Sequence, residues 1–240
     1  MKFKEYGKKG SPVVVLIHGE YASSWNFEEE ALLLSDHFHV ILPQWGFDNE
    51  FESIHQSSQE VIDYIEKKHY GRISILAGTG MGGQIVLDIL AENPFICSDC
   101  ILESVPVNIN KNGTISTSLS YVISKIPFML RLKACRLHIP GEKYEEFCYD
   151  QKREKYETYK KKMQEKNTYQ IPKLYRVQAK TLILVGESEK KMYKKSAQAL
   201  YRKIIDSELE TTKTHISGEF SRNHTQYYIV RLLKLYQSIL

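Results

Sequence analysis

Hydrophobic residues along the 240-residue chain alternate between short runs rich in β-branched side chains and longer stretches with helical spacing. The short runs predict six buried strands, at 13–17, 38–42, 73–77, 100–102, 181–185 and 210–216. The stretches between them predict helices at 24–34, 57–69, 82–93, 191–204 and from about 223 onward. Strands that alternate with helices form βαβ units, so the pattern predicts an α/β fold with a mostly parallel sheet covered on both faces.

The helix predicted at 57–69 has sequence signals at both ends. Ser57 with Glu60 three residues later matches a capping box, and Gly71 follows the last helical turn. We therefore predict that Ser57 is the N-cap of this helix.

One stretch, 106–172, interrupts the alternation. It contains several helical patterns, no convincing strand and a charged run at 156–162. We interpret it as a helical cap inserted between two strands of a single domain, 1–240. The core of that domain would comprise 1–105 and 173–240.

The loop after the third predicted strand contains four glycines, at 78, 80, 82 and 83. This density predicts a sharp turn and close contact between the following helix and the sheet. The spacing of Gly78, Gly80 and Gly83 fits a dinucleotide fingerprint, with Glu103 after the next strand as its acid. The same loop fits the G-x-S-x-G nucleophile elbow except at its central residue. Its place after the third strand counts against the dinucleotide interpretation.

Four segments in a fixed order make the chain resemble the α/β-hydrolase superfamily over nearly its whole length. His18 and Gly19 follow the first strong strand, as in the oxyanion loop of that family, and the glycine-rich elbow follows the third strand. Glu189 follows a late strand, where the family carries its acid, and His224 follows the last strand, where it carries its base. The resemblance implies an α/β-hydrolase fold and the chemistry of a small carboxylesterase or lipase.

The sequence departs from this family at the nucleophile, because Gly80 occupies the position of the elbow serine. A covalent acyl intermediate needs a nucleophilic side chain, so we expect esterase activity to be lost or greatly reduced. We expect Thr79 to point away from the cleft and Ser104 to lack the exposure of an elbow residue. The elbow backbone costs about 1–3 kcal/mol for a residue with a side chain, and glycine removes that strain.

The resemblance also assigns the remaining machinery, residue by residue. It makes His224 the general base and Glu189 the acid that orients its ring, with Glu103 as the alternative acid. The backbone N–H groups of Glu20 and Met81 would form the oxyanion hole. Glutamate is unusual at position 20, because its carboxylate would repel a developing oxyanion unless it points away.

Other residues that could bind metal or transfer protons give weaker signals. Cys97 and Cys100 form a C-x-x-C pair, but Cys135 and Cys148 do not form a second one. No histidine lies at ligand spacing, so we expect buried ordinary thiols and predict no metal and no cofactor. The remaining histidines are expected at the surface or in satisfied core positions: His18, His37, His39, His55, His69, His138 and His215.

Charge and composition narrow the classes of partner. Lys plus Arg number 33 against 29 Asp plus Glu, and a net charge of +4 is too mild to indicate nucleic acid or an anionic membrane. The segment 151–173 has eight Lys and Arg against three Glu, a net charge of +5, so the rest of the chain sums to −1. Such runs usually lie on solvated helix faces, but we interpret this one as part of a cap over the cleft, where its charge could attract an anionic substrate or keep a helix soluble. No apolar leader and no run long enough to span a bilayer are visible, so we predict a cytoplasmic protein.

These observations predict a small acyl or aromatic ligand in the cleft, with Phe128, Met129 and Phe147 lining its pocket. Two alternatives to a hydrolase that has lost its activity stay open. One is a non-catalytic ligand-binding or interaction protein on the same fold. The other is chemistry without a nucleophile, in which His224 and Glu189 act directly on water or substrate.

Overall fold

The computed structural model describes residues 1–46, 51–109, 117–214 and 216–237, and a seven-stranded β-sheet forms its centre. The strands are β1 (Lys2–Tyr6), β2 (Val13–Ile17), β3 (His39–Gln44), β4 (Ile73–Thr79), β5 (Cys97–Glu103), β6 (Lys180–Gly186) and β7 (Ser207–Thr212). Their order in the sheet is β1-β3-β2-β4-β5-β6-β7. β1 pairs with β3 antiparallel and the other neighbouring pairs are parallel, which confirms the predicted mostly parallel sheet.

Helices cover both faces of this sheet. They are α1 (Glu28–Leu34), α2 (Ile54–His69), α3 (Met81–Glu92), α4 (Thr117–Ile123), α5 (Pro127–Arg136), α6 (Tyr144–Arg153), α7 (Tyr156–Thr168), α8 (Lys191–Tyr201), α9 (Glu219–Asn223) and α10 (Thr225–Gln237). In the part of the chain that the structure describes, no helix is both long enough and apolar enough to cross a bilayer.

Two hydrophobic clusters, one on each face, explain why the central strands are continuously apolar. In β2, Val15 and Ile17 pack in the cluster that includes α2, α3 and α8, whereas Val14 and Leu16 pack in the cluster that includes α1 and α10. Side chains alternate between the faces of a strand, so a strand buried on both faces needs apolar residues at every position.

The edge strand β1 was not predicted from the sequence. Lys2, Lys4 and Glu5 are exposed, and such charges on a strand of five residues hide its β pattern. Charged side chains on an edge strand also discourage pairing with other chains. The register of Phe3 opposite Pro43 places β1 beside β3.

Several predicted boundaries were wrong. The N-cap of α2 is Ser53, whose Oγ accepts a 3.0 Å hydrogen bond from the backbone N–H of Gln56. Ser57, the predicted N-cap, lies inside the helix and donates its hydroxyl to the Ser53 carbonyl. The last strand ends at Thr212 rather than 216, and the final helix begins at Thr225.

Residues 117–168 form four of the ten helices found in the described residues, and they lie between β5 and β6. We call this part the inserted helical segment. It has a small hydrophobic cluster of its own, in which Leu130, Ala134 and Phe147 meet Ala22 and Trp25 of the loop after β2. It lies within 106–172, the stretch interpreted above as a helical cap, of which 110–116 lie outside the described residues.

The chain order of the sheet creates a crevice at the carboxyl end of β2. β3 lies on one side of β2 and β4 on the other, so the loops after β2 and β4 leave in different directions. Ligands in open α/β sheets bind in such crevices, at the point where the strand order reverses. The loop at 18–22 and the turn at 79–81 therefore meet where a site is expected.

Candidate functional site

The turn between β4 and α3 has the sharp geometry that the sequence predicts. Gly80 is the N-cap of α3 and has φ 54° and ψ −121°, a conformation that side chains rarely tolerate. Gly82, the second residue of α3, lies so close to the carbonyl groups of Ile17 and His18 that a Cβ atom would collide with them. The glycines thus allow both the sharp turn and the close approach of helix to strand.

A cavity of about 640 Å³ lies beside this turn. This volume falls within the range of small-molecule sites, roughly 300–1,000 Å³. The loops after β2, β4, β6 and β7 form one side of it, and the inserted helical segment contributes residues to the other. Its polar lining includes Glu20, Thr79, Lys133, Arg136, Lys166, Ser188, Glu189, Lys190, Ser217 and Arg222.

The carboxylate of Glu20 lies at the predicted oxyanion hole instead of pointing away from it. Its Oε2 accepts a 3.2 Å hydrogen bond from the backbone N–H of Met81, at the first residue of α3. The backbone N–H of Glu20 itself also contributes a hydrogen bond to this carboxylate. Both amides that the resemblance assigns to an oxyanion therefore bind an internal anion.

An ion pair with the inserted helical segment holds this carboxylate in place. Lys166 of α7 donates to Glu20 Oε1, and both side chains are buried. Burial alone would raise the pKa of Glu20, but the charge of Lys166 and the amide hydrogen bonds outweigh it and lower the pKa. Glu20 is therefore ionised at neutral pH.

Lys162, one helical turn before Lys166, makes a second buried link. Its ammonium group donates to the Glu20 carbonyl at 2.9 Å and to Glu154 at 2.7 Å, and the side chain is 0% exposed. These two lysines of 151–173 therefore do not lie on a solvated helix face. They join α7 to the loop after β2.

Glu189, the predicted acid, does line the cavity. Its Oε1 accepts hydrogen bonds from the hydroxyl of Ser104 at 2.6 Å and from the backbone N–H of Gly186 at 2.8 Å. No described residue is a partner for Oε2, although the residue is only 4% exposed. Burial raises the pKa of Glu189, because these hydrogen bonds do not compensate fully for the lost hydration.

His224, the predicted base, is not brought to Glu189 by the structure. It is the C-cap of α9, beyond the loop after β7, and its ring lies 6.0 Å from that of Phe220 and 6.5 Å from that of Tyr227. It is not among the residues that line the cavity, and no hydrogen bond joins it to Glu189 within the described ranges. The assignment of His224 as base stays a prediction without geometric support.

Glu103, the alternative acid, is used elsewhere in the fold. Its carboxyl group accepts hydrogen bonds from the backbone N–H groups of Phe220 and Ser221 near the start of α9. Burial raises the pKa of Glu103 to about 7. Glu103 does not line the cavity, so the dinucleotide interpretation loses the carboxylate that would hold a ribose.

Of the two hydroxyl groups considered as substitutes for the missing serine, that of Thr79 lies differently from expectation, whereas Ser104 lacks the exposure of an elbow residue, as expected. Thr79 lines the cavity instead of pointing away, and its buried Oγ1 has no hydrogen-bond partner among the described residues. Ser104 is buried and bound to Glu189, and it does not line the cavity. Ser104 adopts φ 51°, an unusual value for a serine.

The predicted apolar pocket residues were wrong. Phe128 is 68% exposed, Phe147 is buried in the cluster of the inserted helical segment, and neither they nor Met129 line the cavity. A helical pattern shows which residues share a face, but not what that face contacts. The apolar lining instead consists of Ala22, Leu137, Ile139, Met192 and Ile216, with Tyr21 and Tyr193.

Arg222 is one of the cavity residues that the sequence analysis did not single out. It is a residue of α9, two positions before His224, and its guanidinium group donates to the Leu137 carbonyl at 2.5 Å. The sequence does contain a signal for the two buried lysines. Tyr159, Lys162 and Lys166 recur at i, i+3 and i+7, which places them on one face of α7 with an aromatic residue.

The other histidines and cysteines mostly follow expectation. His18 is buried, stacks on Trp45 at 5.2 Å and has Nδ1 2.9 Å from the Gly19 carbonyl, which suits a structural role. Cys97 and Cys100 are buried free thiols, whereas Cys135 is exposed, contrary to the prediction. His215 lies outside the described residues.

Esterases and related hydrolases are among the solved structures that share this architecture. An esterase from Thermogutta terrifontis, with malate bound, has a TM-score of 0.74 and 16% identity and covers 98% of this chain and 93% of its own. The enol-lactonase from Burkholderia xenovorans has a TM-score of 0.78 and 13% identity, and the match covers 98% of this chain and 96% of the lactonase. The esterase RhEst1 from a Rhodococcus species has a TM-score of 0.77 and 16% identity, and the match covers 98% of this chain and 94% of the esterase.

These likenesses, together with the sheet order and the sharp turn at Gly80, define the architecture of the chain as the α/β-hydrolase fold. No protein-family model and no curated protein matches the sequence. At these identities the likeness concerns the fold, and the chemistry has to be argued from the site itself.

Proposed function

We propose that this chain is a non-catalytic ligand-binding protein on the α/β-hydrolase fold, which holds a small acyl or aromatic molecule in the cavity and lacks serine-esterase activity. The observation that carries this proposal is the position of the Glu20 carboxylate on the backbone N–H of Met81. An oxyanion hole stabilises the negative charge that develops during acyl transfer. With an internal anion on the same amides, this stabilisation is replaced by repulsion.

The absence of a side chain at Gly80 agrees with this proposal. A Cβ atom built at residue 80 would lie 2.9 Å from Glu20 Oε2, so the carboxylate and a side chain compete for the same space. The change at the nucleophile and the change at the oxyanion hole therefore depend on each other. Restoring one without the other would not rebuild a hydrolase site.

Retention of the cavity supports ligand binding rather than simple loss of function. Thr79 Oγ1 and Glu189 Oε2 are buried polar atoms without described partners, and both residues line the cavity. Leaving a buried polar group unpaired costs roughly 1–3 kcal/mol. A bound molecule that supplies these hydrogen bonds would remove this cost.

The described cysteines are free, which fits the predicted cytoplasmic location.

Hydrolysis assays on the chain and on Gly80→Ser test the catalytic half of the proposal. We expect neither protein to hydrolyse p-nitrophenyl acetate or butyrate above the buffer rate, and neither to be labelled by a fluorophosphonate probe. Rapid turnover by the unchanged chain would overturn the proposal. Turnover restored by Gly80→Ser alone would show that the Glu20 carboxylate does not block the site.

Ligand-detected NMR with small acyl and aromatic acids, alcohols and amides tests the binding half. Met192 lines the cavity and Met129 does not, so Met192→Trp and Met129→Trp introduce the same side chain inside and outside it. We expect Met192→Trp to abolish binding and Met129→Trp to preserve it. No binding of any compound to the unchanged chain would contradict a ligand-binding function.

A further inference from the structure

The charges that line the cavity are unequal. Five cationic residues contribute to its surface, Lys133, Arg136, Lys166, Lys190 and Arg222, against the carboxyl groups of Glu20 and Glu189. Lys166 is paired with Glu20. Burial favours the neutral form of Glu189 by raising its pKa. The cavity therefore has more positive charge than its own carboxylates neutralise.

Arg222 is the half-buried centre of this excess. Its guanidinium group has one hydrogen bond, to the Leu137 carbonyl, and its buried Nε has no partner among the described residues. A guanidinium group has five N–H donors in a planar arrangement that matches carboxylate and phosphate groups. Its unused donors at a cavity wall favour an anion as the missing partner.

Thr79 and Arg222 approach the same open space beside Gly218. A Cβ atom built at Gly218 would lie 3.0 Å from Thr79 Oγ1 and 3.4 Å from Arg222 Nη1. Because residue 218 has no side chain, no Cβ atom occupies this point between the hydroxyl and the guanidinium group. An anionic oxygen near this point could accept hydrogen bonds from both.

The rest of the lining suits an apolar body attached to this anionic group. Leu137 and Ile139 contribute from the inserted helical segment, and Met192, Tyr193 and Ile216 contribute from the opposite side. Inorganic phosphate would leave this apolar surface uncovered. An aryl or short acyl group would bury it.

We infer that the ligand of this cavity is a small organic anion, whose charged oxygens bind Arg222 and Thr79 beside Gly218 and whose apolar body packs against Leu137, Ile139 and Met192. This inference rests on the proposed ligand-binding function and adds the chemical class of the ligand. The shared chemistry is an anionic head on an apolar body, which a carboxylate or a phosphate monoester can supply.

Calorimetric titration of the full chain with benzoate, phenyl phosphate, benzamide and inorganic phosphate tests this inference. We expect benzoate or phenyl phosphate to bind at least about tenfold more tightly than neutral benzamide and than inorganic phosphate, since a charge-assisted hydrogen bond to arginine is lost in the amide. The stronger of the two aryl anions identifies the head group. Equal affinities for benzoate, phenyl phosphate and benzamide would overturn the inference.

Substitutions at Arg222 and Thr79 test where in the cavity the anion binds. Arg222→Gln should weaken binding of the preferred anion about tenfold or more and leave benzamide binding unchanged. Arg231→Gln is the matched control, because Arg231 pairs with Glu210 and does not line the cavity. If Arg222→Gln fails to fold, Thr79→Val decides, since it keeps the shape of the side chain and removes the hydroxyl. Unchanged anion affinity in Thr79→Val or in folded Arg222→Gln would contradict the assignment.

These results separate the two proposals. If benzamide binds and neither anion does, the chain is a ligand-binding protein but the inferred ligand class is wrong. If no compound binds, the ligand-binding function itself fails.

Discussion

Two constraints at Gly80 would oppose any side chain there. Its φ of 54° lies in the left-handed region, and a Cβ atom would meet Glu20 Oε2 at 2.9 Å. We expect Gly80→Ala to lower the free energy of unfolding by about 1–3 kcal/mol, measured by urea denaturation. Gly141→Ala is the matched control, because a Cβ there meets no atom within 4 Å. Equal effects of the two substitutions would contradict this explanation.

Glu30 makes the stability of the fold depend on pH. It is buried on α1, and burial raises its pKa to about 8 from a usual value of 4.5. The folded state therefore holds this proton more tightly than the unfolded chain. The stabilisation is complete below the unfolded pKa, declines above it and is lost as pH passes the folded value.

We expect the free energy of unfolding of Glu30→Gln to vary less between about pH 5 and pH 8 than that of the unchanged chain. Glu66→Gln, at an exposed position on α2, should follow the unchanged chain. Parallel pH dependence of Glu30→Gln and Glu66→Gln would show that Glu30 is not the group responsible.

At the residue scale, the sequence revealed local geometry better than long-range contacts. The sharp turn at Gly80 follows from glycine spacing within a few residues. The direction of the Glu20 carboxylate depends on Lys166, which is 146 residues further along the chain. The cavity position of Arg222 depends on how α9 packs, and no local pattern contains that information.

The N-cap of α2 allows a prediction about the stability of this one helix. Ser53 accepts the Gln56 N–H, whereas Ser57 donates to a backbone carbonyl inside the helix. We expect Ser53→Ala to cost about 1 kcal/mol of stability. Ser57→Ala should cost less, because alanine has the higher helix propensity and no cap is lost. Thermal denaturation would compare the two, and a larger cost for Ser57→Ala would restore the original assignment.

The buried pair of Glu20 and Lys166 joins α7 to the loop after β2. We expect Lys166→Met to lower the free energy of unfolding by about 3–5 kcal/mol, because Glu20 is then buried without its counterion. The double variant Glu20→Gln/Lys166→Met should recover much of this loss. Lys161→Met is the matched control on the same helix, where the exposed pair with Glu52 is worth at most about 1 kcal/mol. Similar losses at Lys161 and Lys166 would contradict a specific link.

Whether a strand or a helix could be predicted from the sequence depended on how deeply its residues are buried. The strand β2, which is buried on both faces, is a continuous apolar run, and the mostly apolar β4 was likewise found from the sequence. β1 escaped because its exposed edge residues are charged. The two capping candidates of α2 are both serines four residues apart, so composition alone could not separate them.

At the scale of the whole molecule, the alternation of strands and helices predicted an α/β fold with a mostly parallel sheet, and the resemblance of four motif segments to a known superfamily predicted the α/β-hydrolase fold. Alternation limits the topology to parallel βαβ units, and the glycine-rich turn marks one strand end as special. The same reasoning expected the catalytic groups of that fold to meet at the turn. The structure brings Glu189 there but not His224, because α9 separates His224 from the loop after β7.

The cavity connects the inserted helical segment to the sheet, since Lys133, Leu137 and Asn167 line it together with Glu189 and Arg222. A molecule held between both walls must stabilise them together. We expect benzoate at a hundredfold excess over its Kd to raise the free energy of unfolding by about 2.7 kcal/mol. Hydrogen exchange should then slow in α5 and α7 as well as at 217–222, and Met192→Trp should show neither effect. Slower exchange at only one wall would mean that the ligand does not bridge the two parts of the fold.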